Sequence, residues 1–153
     1  MKKYFFLFLV ITSCASVQNI DAEKAQITTT LDNWHKAAAN ADYNSYFDAM
    51  TENSIFIGTY ATENRNKEAF LNFAKPYFDY GKAWNFTALE RNIYFSKDGK
   101  TAWFDELLNT QMKICRGSGI LTKENNRWKI SHYVLSMTIP NDTTDAVIKI
   151  KAP

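Results

Sequence analysis

From Asp21 to Ala41 the apolar positions Ile27, Leu31, Trp34, Ala38 and Ala41 recur at intervals of three and four, the spacing of an amphipathic helix. "ADYNSYFDAM" follows, with Asp42 placed to cap a second, short helix through Tyr46 and Phe47. "SIFIGTY" (Ser54 to Tyr60) is short and rich in β-formers, and reads as a strand. A third helix is predicted over "NKEAFLNFAKPYFDYG". Asn66 caps it, Phe70, Phe73 and Tyr77 share a face, Gly81 stops it, and Pro76 predicts a kink or an early end. Strands then take over. "AWNFTALERNIYF" runs to a turn at Lys97-Asp98-Gly99-Lys100, where Asp-Gly signals a hairpin. "TAWFDELLNTQ" and "ICRGSGILTKE" follow, then an Asn125-Asn126 turn, then "RWKISHYVLSMTI". Pro140 closes the last strand, and "NDTTDAVIKIKA" is a brief C-terminal helix or tail. Three helices around an early strand, then a four-strand antiparallel meander, make an α+β layout with helices on one face of a curved sheet.

Successive side chains on a strand point to opposite faces, so register decides which polar residues face inward. If Asn125-Asn126 is a two-residue hairpin, Glu124 pairs with Arg127 and Gly119 lies beside His132. One face then carries Cys115, Gly117, Gly119, Leu121, Trp128, Ile130, His132 and Val134, and the other carries Arg116, Ser118, Ile120, Lys129, Ser131, Tyr133 and Leu135. The first is more apolar, its glycines make room, and it is taken as concave. The neighbouring turn, Asn109 to Lys113, has no clear signature. A register that sets Glu106 against Arg116 gives an outer ion pair and turns Asp105 inward with Trp103 and Leu107, next to Gly117 and on the same face as His132. A one-residue slip reverses both carboxylates.

The N-terminus changes the picture of where the domain begins. Lys2 and Lys3 precede an apolar run, Tyr4 to Val10, that is too short to span a bilayer. This reads as a secretory signal over residues 1–13. Ile11-Thr12-Ser13-Cys14 resembles the bacterial lipobox, in which the cysteine is lipidated and becomes the mature N-terminus. The resemblance implies a lipid anchor on Cys14, a tether over residues 14–22, and a domain over 23–153 facing the periplasm. An ordinary signal peptide, leaving a soluble secreted or periplasmic protein, is the alternative. With Cys14 lipidated, Cys115 has no partner for an intramolecular disulfide, and it reads as a small buried apolar residue.

The whole chain has 18 basic and 16 acidic residues; without Lys2 and Lys3 the balance is 16 against 16. With no Lys/Arg block either, a nucleic-acid partner is not expected. Two histidines far apart give no metal spacing, and no cofactor motif appears. "RGSG" is not a hydrolase elbow, because Ser118 sits within a strand. Aromatic residues make up 15% of the chain, which asks for a large core, a lined cavity or an interface.

"WHKAAANADYNSYFDAMTENSIFIGT", "FLNFAKPYF", "AWFDELL" and "RGSGILTKENNRWKISHYVLSMTIP" resemble, in order and spacing, the SnoaL-like branch of the nuclear transport factor 2-like superfamily. The resemblance implies a cone whose curved sheet and helices enclose a pocket, often dimeric through the sheet. It leaves activity open, since members include isomerases, cyclases, dehydratases and transport adaptors. Ketosteroid isomerases of this fold use a Tyr and two Asp, and the corresponding positions here hold Trp34, Gly58 and Gly119, so that chemistry is not expected. Three readings follow. The first is a lipid-anchored domain that binds a small apolar or aromatic molecule, its pocket lined by Trp34, His35, Gly58, Trp84, Trp103, Gly117, Gly119 and Val134. The second is an acid/base enzyme of isomerase, dehydratase or cyclase type using Asp105 and His132. The third is a dimeric interaction module with a filled cavity and an outer face of Tyr133, Leu135 and Met137.

Overall fold

The computed structural model describes residues 19–151. Cys14, and with it the signal and most of the tether, lies outside the described residues. The first helix, α1 (Ile20–Ala39), starts within the stretch read as tether, because Asn19 caps it by accepting from the Ala22 amide at 3.3 Å. Its buried stripe is Ile27, Leu31, Trp34 and Ala38, joined by His35. Ala41 (φ 54°) turns the chain into α2 (Tyr43–Asp48), which Asp42 caps through the Ser45 amide. Then come β1 (Met50–Ile57) and a short strand without a sequence signal, β2 (Asn64–Asn66).

Asn66 caps α3 (Lys67–Asp79), and Gly81, at φ 76°, follows its end. Pro76 sits in the last turn, so the lost amide bond falls near the natural terminus. The buried face of α3 is Phe70, Ala74 and Phe78; Phe73 is half-buried and Tyr77 exposed. The apolar stripe thus follows the i, i+4, i+8 row, and the expected grouping of Phe70 with Tyr77 is corrected.

The remaining strands are β3 (Thr87–Phe95), β4 (Thr101–Thr110), β5 (Lys113–Glu124) and β6 (Arg127–Met137), followed by α4 (Thr144–Lys151). They form one six-stranded sheet in the order β2-β1-β6-β5-β4-β3. The β3–β6 portion is the antiparallel meander that the sequence predicts, and β1 lies parallel to β6. The architecture is α+β, as expected. The helices α1, α2 and α3 cover one sheet face with an aromatic core that includes Trp34, Tyr46, Phe56, Phe70, Phe104 and Tyr133.

Two one-residue shifts decide which polar groups enter that core. The Asn125-Asn126 turn has positive φ at both residues (50° and 61°), and Leu121 pairs with Ile130 as expected. Ser131 is then an extra residue: Ile120 pairs with His132, and the Ser131 hydroxyl donates to the Ile120 carbonyl at 3.1 Å. Beyond this bulge Tyr133 and Leu135 point inward, while His132 and Val134 point outward. The expected placing of all four is reversed. At the other hairpin, Thr110 pairs with Lys113 across Gln111-Met112, which sets Glu106 opposite Gly117 and not Arg116. Glu106 therefore faces the core and Asp105 faces out.

Candidate functional site

Glu106 is fully buried on the inner face of β4. Arg91 is its cross-strand partner on β3, and its guanidinium grips Oε2 through Nε at 2.9 Å and Nη2 at 2.7 Å. The fork then reaches α1, donating through Nη1 to Asp32 Oδ1 (2.8 Å) and to the Thr28 carbonyl. On the other carboxylate oxygen, His35 Nε2 lies at 2.8 Å and the Tyr133 hydroxyl donates at 3.3 Å. Gly117 leaves the room for this: a Cβ there would collide with the Tyr133 hydroxyl and the Glu106 carboxylate.

Burial is the largest influence on the Glu106 carboxyl and pushes its pKa up, but His35 and Arg91 together outweigh it and hold the group below its usual value. It is the ionised acceptor of the cluster. Burial, followed by the Glu106 charge, pushes the Tyr133 phenol well above its ordinary range, so Tyr133 remains a donor. Four donors occupy the two carboxylate oxygens, about the capacity of an ionised carboxylate. The carboxylate itself has no open acceptor position, while His35 Nδ1 is buried without a hydrogen-bond partner among the described residues. The cluster locks α1 to the sheet.

Asp105 lies on the outer face, one-third exposed, where it accepts from Arg116 at 3.1 Å and from Asn92 at 3.4 Å. His132, also on the outer face, is opposite Ile120 and Ile55. Asp105 aligns with Ser118 and, beyond it, with Val134, so the two residues sit in different cross-strand rows. Among the expected pocket residues, Trp34 is core, stacked on Tyr46, and Trp103 is outside, stacked on Tyr94. Gly119 packs against Phe104. The inward carboxylate–histidine pair is Glu106 with His35. Sequence reading named His35 for the pocket but assigned Glu106 to the outer face and passed over Arg91. The signal available for Glu106 is Ala102, Phe104 and Leu108, an apolar set in phase with it on β4.

Gly58 and Trp84 do line a cavity. Between β1, α3 and the β4–β5 turn lies a nook of about 180 Å³, walled by Phe56, Phe70, Phe73, Trp84, Phe86, Met112 and Leu135. Glu63 and Gln111 are its polar edge. Phe86 joins it to the buried cluster, with its ring 5.9 Å from His35. A larger groove of about 590 Å³ lies between α1, α2 and the β5–β6 turn, with Trp34 and Trp128 among mostly polar lining residues. Several of its polar groups already have partners: the Thr29 and Thr30 hydroxyls bond their own helix, and Arg127 and Lys129 pair with Asp48.

A family model described as a SnoaL-like domain matches residues 27–140. No match is found among curated proteins. Several solved structures share the fold at low identity. An NTF2-like protein of unknown function from Pseudomonas putida KT2440 is 12% identical, with a TM-score of 0.67 over 80% of this chain and 92% of that one. A putative dehydratase of the NTF2-like family from Streptomyces avermitilis is 10% identical, with a TM-score of 0.68 over 79% and 99%. The association domain of C. elegans CaMKII is 17% identical, with a TM-score of 0.63 over 76% and 97%.

Proposed function

The chain belongs to the SnoaL-like domain family, and we propose that within it this protein binds a small apolar or aromatic molecule without transforming it. The observation that carries this reading is the division of the interior. The buried carboxylate has every acceptor position filled, and beside the cluster lies an apolar nook of about 180 Å³. An apolar cavity of about 150 Å³ accommodates benzene, so the occupant is the size of one ring. Mass spectrometry of the purified protein under native and denaturing conditions tests this. A stoichiometric one-ring compound lost on denaturation is expected; turnover that requires Glu106 or His35 would contradict it.

A second property is pairing of two copies through the outer sheet face. The support is one cross-strand row, Ile55–His132–Ile120–Trp103–Tyr94, in which Ile120, Trp103 and Tyr94 are 38%, 47% and 46% exposed. This row replaces the face of Tyr133, Leu135 and Met137, of which only Met137 is exposed. Sedimentation should give a dimer that Trp103→Glu converts to monomer. Lipid anchoring at Cys14 is the third part of the reading, supported by Lys2, Lys3 and the apolar run before it. The mass of the mature N-terminal peptide should carry acyl groups, and Cys14→Ser should remove them.

A further inference from the structure

The apolar nook has a carboxylate of its own. Glu63 stands at its polar edge, at the end of the loop between β1 and β2. Backbone bonds close that loop: the Gly58 amide donates to the Glu63 carbonyl at 2.8 Å, and the Glu63 amide to the Tyr60 carbonyl at 2.9 Å. The Glu63 side chain folds back over the loop, where Oε2 accepts from the Tyr60 amide at 3.1 Å. Gly58, which also lines the nook, gives the carboxylate its room, because a Cβ there would collide with it. Oε1 accepts from Arg65 Nη2 at 3.4 Å. The carboxylate is thus held in place before a ligand arrives, which lowers the ordering cost of binding.

Glu106 and Glu63 differ in what they have left to offer. Four donors fill the Glu106 oxygens, whereas Glu63 holds two, and an ionised carboxylate accepts about four. The Glu63 side chain is 24% exposed and lines the nook, so an occupant can reach it. An ionised carboxylate only accepts, so it selects a ligand that donates, with the ring among the apolar walls and the donor at the edge. Thr59 and Gln111 also line the edge and can donate or accept, but both are exposed and must be immobilised before they bond. Charge narrows the donor further. Arg65 already balances Glu63, so an ammonium would meet the guanidinium as well. A neutral hydroxyl meets only the acceptor.

We propose that Glu63 makes the nook selective for a single-ring molecule bearing a neutral hydroxyl, which donates to the carboxylate at the nook's edge. This deepens the binding reading above and rests on it. The test is a titration of the full chain with toluene, phenol, anisole and benzylamine, followed by ligand-observed NMR. Phenol should bind about tenfold more tightly than toluene, its isostere, the gain of one hydrogen bond to a charged group. Anisole, in which a methyl replaces the donated hydrogen, should bind no better than toluene, and benzylamine should bind more weakly than phenol. Glu63→Met, which keeps the length of the side chain without an acceptor, should bring the phenol-to-toluene ratio close to one. Glu63→Gln, neutral but still accepting through its carbonyl, should leave the ratio intermediate. Equal binding of toluene and phenol by the unaltered protein, or an unchanged ratio in either variant, would overturn the role of Glu63 and leave the nook standing. Anisole binding as tightly as phenol would overturn the donor assignment, and benzylamine binding more tightly than phenol would overturn the preference for a neutral group. Binding of none of the four would overturn the nook reading itself. The wild-type ratios and Glu63→Gln decide the matter even where Glu63→Met fails to fold.

Discussion

Asp105 and Glu106 are adjacent carboxylates on one strand, yet the sheet gives them opposite physics. Asp105 stands on the outer face against the half-exposed Arg116, where water screens the pair. Glu106 stands on the inner face, fully buried, with Arg91 (8% exposed) and His35 (4% exposed) against it. A surface pair of the first kind adjusts to mutation; a buried cluster of the second kind holds only while every member is present. The same contrast runs across the sheet: exposed apolar residues outside, a fixed charge cluster and an apolar nook inside.

The sharpest way to break this contrast is to remove the inner carboxylate. Glu106→Ala leaves Arg91 buried without its main counter-charge and should cost about 3–5 kcal/mol, read as a lower urea midpoint. Gly117→Ala should cost about 1–3 kcal/mol, because the added methyl drives into the Tyr133 hydroxyl and the Glu106 carboxylate; thermal unfolding reads it. A gentler change is the pH dependence. The Glu106 pKa is depressed in the fold, so its contribution is fully present above the ordinary value of 4.5 and is lost as pH falls through the lower folded value. The stability gap between the unaltered protein and Glu106→Gln should therefore be level near neutrality and narrow below pH 4.5 in urea titrations. The smallest effect belongs to the outer carboxylate: Asp105→Asn should change stability by less than about 1 kcal/mol in the same urea assay. A loss comparable to that of Glu106→Ala would erase the distinction between the two faces.

The fold was legible in the sequence because its signals are local. Helix stripes, the caps at Asp42 and Asn66, and the turns at Asp98-Gly99 and Asn125-Asn126 each lie within a few residues. The site was less legible because it depends on register. One shift came from a bulge at Ser131, whose side chain holds a bond that no sequence pattern announces. The other came from the Gln111-Met112 turn, which has no Gly, Asn or Asp. There the Thr110 hydroxyl accepts from the Met112 amide and donates to the Lys113 carbonyl, and Lys113 takes a φ of 68°. The first slip moved the second half of β6 to the other face, and the second moved β4 as a whole. The strand around Glu106 was ambiguous from the start, because Trp103 and Leu107 on one side and Ala102, Phe104 and Leu108 on the other are both apolar. The nook joins β1, α3 and the β4–β5 turn, which are distant in sequence, so only Gly58 and Trp84 of its walls were anticipated.

The central claim is that the inner apolar nook binds a single ring, and filling it tests that claim most directly. Met112 lines the nook from the β4–β5 turn and is only partly buried, so Met112→Trp can occupy the space without opening the core. Ligand-observed NMR with toluene on the unaltered protein and on Met112→Trp should show binding in the first and its loss in the second, with the fold intact by circular dichroism. Equal toluene binding by both proteins, or none by the unaltered one, would contradict the account.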